Sequence, residues 1–158
     1  MKVLITGGCG FLGSNIAAKF LELENEVIIL DNLTRDGSER NLKWLQKLTK
    51  KNNLHFYNVD VSIKKDIDDI FQVNSSIDYI CHLAGQVAMT TSIKNPLLDF
   101  NTNVVGTINI LEAVRNYTPN SFIAFSSTNK VYGDLNYLTR LENNTRYYFE
   151  DFPHGIDE

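Results

Sequence analysis

A turn rich in glycine near the start of the chain constrains the fold more than any other feature of the sequence. Its glycines are Gly7, Gly8, Gly10 and Gly13. The apolar run 3–5 precedes the turn, and helical periodicity from Phe11 to Leu23 follows it. This order is typical of nucleotide-binding turns, because glycines let backbone N–H groups approach a diphosphate while the helix directs its positive end at the phosphates. Read as Gly8-x-Gly10-x-x-Gly13, the turn fits the dinucleotide fingerprint.

An acidic residue ends the second apolar run. Residues 27–30 predict a strand, and Asp31 lies at its tip. A carboxylate at that place accepts hydrogen bonds from the ribose hydroxyls of an adenosine and repels a 2′-phosphate, which favours NAD over NADP. Arg35 follows four residues later and offers a partner for a 2′-phosphate, so NADP stays open as the alternative.

Apolar runs and helical patterns alternate along the chain, which predicts an α/β protein with a Rossmann-type doubly wound parallel sheet. At 158 residues and 43% hydrophobic content, the chain has the size of one domain. The predicted strands are Lys2–Thr6, Val27–Leu30, Leu54–Asn58, Ile77–His82 and Ser121–Ser126. Right-handed crossovers give the strand order 3-2-1-4-5, a sheet that is incomplete at its C-terminal edge.

Helices are predicted between these strands, each with an apolar stripe facing the sheet. The longest is expected over Pro96–Tyr117. In the first helix the predicted buried stripe is Leu12, Ile16, Phe20 and Leu23. In the longest helix it is Val104, Ile108, Leu111 and Val114.

The chain is expected to divide into an NAD-binding domain, 1–130, and an irregular acidic tail, 131–158, that begins a catalytic and substrate-binding region missing from this sequence. The tail accounts for the whole net charge of −4, because it contains six acidic residues and two basic residues, Arg140 and Arg146. The rest of the chain carries thirteen charges of each sign and no basic stripe, which argues against a nucleic-acid partner.

No apolar run in the sequence is long enough for a signal peptide or a membrane span, and the expected location is the cytoplasm. Cys9 and Cys81 have no metal-ligand spacing to each other or to a histidine, so no metal site is expected. Their presence as an isolated pair favours a reducing compartment.

Polar groups follow the remaining predicted strands at the edge where a cofactor would lie. They are found in 58–61, 83–86 and 126–128. His82 ends the fourth strand and is predicted to be a hydrogen-bonded core histidine rather than a ligand.

Five stretches together resemble the extended short-chain dehydrogenase/reductase family of nucleotide-sugar epimerases and dehydratases. They are Thr6–Gly13, Asp31–Leu33, His82–Gly85, Asn103–Thr107 and Ser126–Gly133. The resemblance covers the whole chain and implies NAD as cofactor and a nucleotide-diphosphate sugar as substrate. It implies a reaction in which a sugar carbon is transiently oxidised and then reduced again. Relatives often dimerise, so a homo-oligomer is possible for a full-length form.

The resemblance also implies roles for individual residues. It assigns Gly7, Gly10, Phe11, Leu12 and Gly13 to the diphosphate. It assigns Asp31, Asn32 and Arg35 to the adenosine ribose, and Asp60 and Val61 to the adenine. It assigns Leu83, Ala84, Gln86, Asn103 and Ser126 to the rest of NAD. Thr128 matches the catalytic hydroxyl residue that hydrogen-bonds the reacting sugar hydroxyl.

The chain departs from the family in lacking a tyrosine followed four residues later by a lysine, the pair that supplies the base. None of its seven tyrosines has a lysine at that spacing. The expected explanation is a truncated sequence, with the pair encoded beyond Glu158. The 158 residues alone are expected to be inactive.

Several functions remain open within this resemblance. The stretches Ala84–Ser92 and Ser127–Asp134 favour the branch that epimerises CDP-linked sugars at carbon 2. A UDP-glucose 4-epimerase-like enzyme is the nearest alternative. A 4,6-dehydratase is disfavoured, because Asn129 and Lys130 stand where those enzymes carry an acid pair. A non-catalytic nucleotide-binding fragment is the remaining alternative.

Overall fold

A computed structural model describes residues 1–49, 52–128 and 132–156 of the chain. The chain divides into two compact units, Met1–Ser126 and Ser127–Glu158. The domain boundary expected near residue 130 stays a prediction, because compactness alone does not assign a function to either unit.

The first unit is built on a five-stranded parallel sheet. Its strands are β1 Lys2–Thr6, β2 Glu26–Asp31, β3 Leu54–Asn58, β4 Tyr79–His82 and β5 Phe122–Phe125. They lie in the order β3-β2-β1-β4-β5. The predicted fold class and strand order are therefore confirmed.

Helices cover both faces of this sheet. They are α1 Phe11–Glu22, α2 Ser38–Leu48, α3 Lys64–Val73, α4 Met89–Lys94, α5 Pro96–Phe100 and α6 Gly106–Tyr117. Alternate strand residues divide the core in two, as expected where side chains point to opposite faces. Leu4 and Ile28 pack with α3 and α6 in one cluster, whereas Val3 and Ile29 pack with α1 and α2 in the other.

The long helix predicted over Pro96–Tyr117 contains a π-helical turn. Residues Asn101–Val105 form this turn between α5 and α6, and the Gly106 N–H donates to the carbonyl of Asn101. Side-chain periodicity does not reveal a single widened turn, although such turns are frequent at functional sites. The short helix α4 was also missed, since six residues are too few to show a period.

The predicted buried stripes are right only in part: Val114 of α6 is buried, and Ile16 and Phe20 of α1 pack partly buried against the core, but the other predicted residues are exposed. In α1, Leu12 and Leu23 are exposed, and the buried residues are Gly13, Ser14, Ala17, Ala18 and Leu21. In α6, Ile108 and Leu111 are about half exposed, at 54% and 48%, and the buried residues are Gly106, Asn109, Ile110, Ala113 and Val114. Small residues form much of the buried side of both helices, together with Leu21, Ile110 and Val114. The remaining large apolar side chains, Leu12, Leu23, Ile108 and Leu111, lie outside this contact.

The second unit contains an antiparallel hairpin, so the prediction of an irregular tail is wrong for these residues. Strands β6 Arg140–Glu142 and β7 Tyr147–Phe149 pair in it. Asn143 closes the turn, because its side-chain oxygen accepts hydrogen bonds from the N–H groups of Thr145 and Arg146, both at 2.9 Å. Strands of three residues are too short to show an alternating pattern. In the described parts of both units, no helix has the length and apolar character to cross a membrane.

Candidate functional site

The glycine turn is packed so tightly that side chains cannot replace two of its glycines. Gly7 has a φ of +66°, and a Cβ built on it would lie 2.8 Å from the backbone nitrogen of Ala84. A Cβ on Gly13 would lie 2.3 Å from the carbonyl oxygen of Gly7. The turn therefore rests directly on the segment after β4 and on the first turn of α1, and its backbone is open toward the cavity described below.

The N-terminus of α1 begins inside this turn. Gly10 is the N-cap residue and supplies no capping side chain. Phe11 is 87% exposed and Leu12 is 53% exposed, so neither side chain covers the helix end. A twelve-residue helix with such an end presents backbone N–H donors and a partial positive charge to an anion.

Asp31 joins the glycine turn to the end of β2. One carboxylate oxygen accepts the N–H of Cys9 at 2.9 Å, and the other accepts the N–H of Leu33 at 2.8 Å. Each carboxylate oxygen has two acceptor sites, so both retain capacity for a ligand hydroxyl. Burial, reinforced by the Asp31 charge, raises the pKa of the Cys9 thiol to about 12, so that thiol is neutral.

Asp60 lies at the end of β3 beside the residues that follow β2. Its carboxylate accepts hydrogen bonds from the N–H and hydroxyl of Ser62, at 2.9 and 2.7 Å, and from the Asn32 amide at 2.9 Å. Burial acts to raise the pKa of Asp60, but these hydrogen bonds to the ionised form outweigh it, and the pKa lies below its usual value. Asp60 is thus a fixed carboxylate that ties two strand ends together.

The segment after β4 is fixed by the π-helical turn. The Asn103 side chain accepts the N–H of Gln86 at 2.8 Å and donates to the carbonyl of Gln86 at 3.0 Å. Asn103 also donates to Asp99 at 3.1 Å. Pairing of both backbone groups of Gln86 with one side chain sets the position of this segment opposite Asp31 across the sheet edge.

These segments enclose one cavity of about 260 Å³ at the carboxyl ends of the strands. Ten of the predicted cofactor residues line it: Gly7, Gly10, Asp31, Asn32, Arg35, Asp60, Val61, Leu83, Ala84 and Gln86. This is the edge at which open α/β sheets bind ligands. Metal-ligating clusters of three or more His, Cys, Asp or Glu side chains are absent from the described residues.

The other predicted residues lie outside the lining. Phe11, Leu12 and Gly13 belong to the first turn of α1, and Asn103 acts through Gln86. The Ser126 hydroxyl lies 3.4 Å from the carbonyl of His82, to which it donates.

The predicted catalytic residue, Thr128, belongs to the second unit, so its role stays a prediction. Asn129 and Lys130, on which the argument against a dehydratase rests, lie outside the described residues.

Sequence reasoning missed several residues that line the cavity. They are Leu30, Thr34, Ser38, Val59, Gly85, Leu98 and Thr102. Most of them are sequence neighbours of residues that were predicted, and a wider window around each motif would have included them. Thr102 directly precedes the predicted Asn103, whereas Leu98 lies in α5, which no motif marks.

A parallel sheet in this order, with a glycine turn after β1 and an acid after β2, defines a dinucleotide-binding protein of the Rossmann class. The family described as GDP-mannose 4,6 dehydratase matches residues 4–150. The chain therefore belongs to this family of epimerases and dehydratases, and the resemblance stated from its motifs is confirmed.

Individual relatives are sugar-nucleotide epimerases. The chain is 51% identical over 158 residues to a CDP-paratose 2-epimerase of Salmonella typhi, covering 100% of this chain and 46% of that protein. It is 39% identical over 142 residues to a putative UDP-glucose 4-epimerase of Methanocaldococcus jannaschii, covering 89% of this chain and 43% of the relative. The chain thus spans less than half the length of these relatives.

A solved structure supports the same relationship. The UDP-glucose 4-epimerase of Bifidobacterium longum, determined in complex with NAD⁺ and UDP, aligns with a TM-score of 0.75 and 28% identity. The alignment covers 84% of this chain and 38% of that chain.

Proposed function

We propose that this chain is the NAD-binding part of a nucleotide-sugar epimerase most like CDP-paratose 2-epimerase. The observation that carries the proposal is the single cavity bordered by the glycine turn, by Asp31 and by the segment 83–86. The 51% identity to a CDP-paratose 2-epimerase, over the full length of the chain, supports the choice of reaction.

The residues around the cavity fit a dinucleotide. A Cβ at Gly7 would narrow the turn where a diphosphate lies closest, and the uncapped start of α1 offers N–H groups to it. Asp31 would accept ribose hydroxyls, with Asn32 and Arg35 beside it, and Asp60 and Val61 would border the adenine. When bound, NAD would supply the hydride acceptor and donor for transient oxidation and re-reduction of one sugar carbon.

The protein's own catalytic contribution in this proposal is the Thr128 hydroxyl, which would hydrogen-bond the reacting hydroxyl of a nucleotide-diphosphate sugar. The tyrosine and lysine pair that would supply the base is not among these 158 residues, since none of the tyrosines is followed four residues later by a lysine. A hydroxyl without a base does not remove the sugar proton. We therefore expect no turnover from the 158 residues alone.

A 4-epimerase is the second candidate, and two comparisons favour it. The chain is 39% identical to a putative UDP-glucose 4-epimerase, and the aligned solved structure is also a 4-epimerase. The two candidates differ in the sugar they oxidise, while the NAD site would be common to both.

We further place the enzyme in the cytoplasm and expect self-association. The free thiols Cys9 and Cys81 support a reducing compartment. The half-exposed apolar side chains of Ile108 and Leu111 on α6 support a homo-oligomer. Sedimentation of the protein at several concentrations would measure the oligomeric state.

The cofactor site is tested by an NMR titration with NAD. We expect weak binding that shifts the amides of 10–13 and 31–34, because relatives have more than half of their length outside the matched region.

Asp31→Asn should weaken binding about tenfold through loss of a charge-assisted hydrogen bond. Asp36→Asn is the matched control, an exposed acid in the same loop that does not line the cavity. Shifts confined to other regions, or equal effects of both variants, would contradict the proposed site. Micromolar affinity would contradict the expectation of weak binding.

The catalytic expectation is tested separately with the purified 158-residue chain. NAD with CDP-paratose, UDP-glucose or dTDP-glucose should give no epimerised product by NMR. Product from any of these sugars would refute the expected inactivity, and the sugar that reacts would distinguish a 2-epimerase from a 4-epimerase.

A further inference from the structure

An unbroken series of side-chain hydrogen bonds runs behind the cavity from β1 to the π-helical turn. The Thr6 hydroxyl lies 2.7 Å from Nδ1 of His82, and Nε2 of His82 lies 3.0 Å from the Thr107 hydroxyl. The Thr107 hydroxyl donates to the carbonyl of Asn103 at 2.7 Å. His82 is 2% exposed, so it exchanges none of these partners for water.

The partners at both ends fix the direction of every hydrogen bond in this series. The single hydrogen of the Thr107 hydroxyl points to a carbonyl, so the Thr107 oxygen must accept from Nε2–H of His82. The Thr6 hydroxyl oxygen accepts the N–H of Ala84 and shares the N–H of Leu83 with the Thr6 carbonyl, and Nδ1 of His82 is the acceptor that faces its hydrogen. Both ends require the same state of His82, the neutral imidazole with its proton on Nε2.

Thr6 and Asn103, the first and last residues of the series, bind the two ends of the segment 83–86, which forms one wall of the cavity. Thr6 binds the N–H groups of Leu83 and Ala84, while Asn103 binds both backbone groups of Gln86. Ala84 is also the residue on which Gly7 rests. The segment 83–86 is therefore packed directly against the glycine turn.

We propose that His82 and Thr107 are positioning residues, which fix the segment 83–86 against the glycine turn through the directed series Thr6, His82, Thr107 and Asn103. This inference rests on the proposed function, since it assigns the segment as a wall of the NAD site. Neither residue lines the cavity, and both act through backbone that does.

Protonation of His82 is incompatible with this series. A hydrogen on Nδ1 would face the Thr6 oxygen, which already accepts two N–H groups. The imidazole hydrogen-bonds with Thr6 of β1 and Thr107 of α6 and has a ring contact with Phe125 of β5, and none of these three side chains ionises. Burial lowers the pKa of His82 to about 4, in agreement with a neutral ring.

Substitutions at Thr107 test the proposal without a large change in volume. Thr107→Val removes the hydroxyl, and the Gln86 amide should then exchange its hydrogen about fivefold faster, because one hydrogen bond is lost. Thr107→Ser keeps the hydroxyl and should restore the slow exchange. Thr118→Val is the matched control, since the Thr118 hydroxyl is buried at the end of α6 and has no hydrogen-bond partner among the described residues.

Nitrogen-15 NMR of the unmodified chain reports which nitrogen of the His82 ring carries the hydrogen. A role of His82 in packing alone would not require one particular nitrogen to be protonated. We expect the His82 ring to be neutral with its hydrogen on Nε2 at pH 7, and Thr107→Val to change the Nε2 signal. A hydrogen on Nδ1 would overturn the proposal. Equal exchange of the Gln86 amide in Thr107→Val and in the unmodified chain would also overturn it.

An NAD titration of the same variants separates this inference from the proposed function. Thr107→Val should weaken NAD binding about fivefold, and Thr107→Ser and Thr118→Val should leave it unchanged. If NAD shifts no cavity amide of the unmodified chain, the proposed function fails. The hydrogen-exchange and nitrogen-15 results still test the series of hydrogen bonds in that case. If NAD binds and Thr107→Val binds it equally well, the positioning role is wrong.

Discussion

The imidazole of His82 is buried in β4, and its burial makes the stability of the protein depend on pH. His82 donates and accepts within the protein and has no access to solvent. The sequence predicted this residue as a hydrogen-bonded core histidine, and the structure agrees. The sequence did not predict its partner Thr107, because that contact depends on the helix register set by the π-helical turn.

Acid should destabilise the protein through His82 at a pH above the range in which carboxylates titrate. The pKa of His82 is lowered from 6.5 to about 4 by burial, so the unfolded chain binds a proton that the folded protein does not. The contribution of the neutral His82 ring to stability is therefore fully present above pH 6.5 and is lost as the pH falls toward 4. Urea unfolding should show a loss of about 2 kcal/mol between pH 7.5 and pH 5.

The matched control for this prediction is His55→Gln, since His55 is a partly exposed histidine that faces Glu26 at 3.4 Å. The loss between pH 7.5 and pH 5 should persist in this variant. A constant free energy of unfolding over that range would show that His82 takes up a proton in the folded state.

At the scale of helices, close packing by small residues explains where sequence prediction failed. The predicted stripes include Leu12 and Ile108, which are exposed, and leave out Ala17, Ile110 and Ala113, which are fully buried. The outer bounds of α1 and of the helical stretch Pro96–Tyr117 were predicted well, because glycines and a proline mark them locally. The rotation of a helix about its axis depends on what it touches, and no local pattern encodes that contact.

Gly106→Ala should be destabilising although alanine favours helices. A Cβ at Gly106 would lie 2.6 Å from Cγ2 of Val61, a buried β-branched side chain with little freedom to rotate. We expect a loss of about 1–3 kcal/mol in chemical unfolding. In the Val61→Ala background the same substitution should cost at least about 1 kcal/mol less, because the obstructing methyl is gone. An equal cost in both backgrounds would assign the effect to something other than this contact.

At the scale of the whole molecule, the first unit contains both hydrophobic clusters. Every residue of these clusters lies before Ser126. The strand order was predictable because parallel neighbours and right-handed crossovers leave few arrangements of five strands. The hairpin of the second unit was not, because its pairing is fixed by Asn143 and by strands of three residues.

Removal of the second unit should leave the sheet folded. A chain ending at Ser126 should unfold cooperatively with the same midpoint as the 158-residue chain in thermal circular dichroism, since no buried cluster is lost. A chain ending at Tyr117 is the control and should unfold without cooperativity, because β5 and its pairing with β4 are removed. Loss of cooperativity in the first truncation would show that the second unit stabilises the sheet.

The carboxylate of Asp31 has a consequence for attempts to engineer the protein for a different cofactor. It holds the N–H groups of Cys9 and Leu33, one on each oxygen. Replacing Asp31 with a neutral or basic residue, the usual first step toward accepting a phosphorylated ribose, would leave at least one of these two N–H groups without its acceptor, and a side chain with no oxygen would release both. A redesign would therefore need new acceptors for these two donors before the altered preference could be measured in an intact loop.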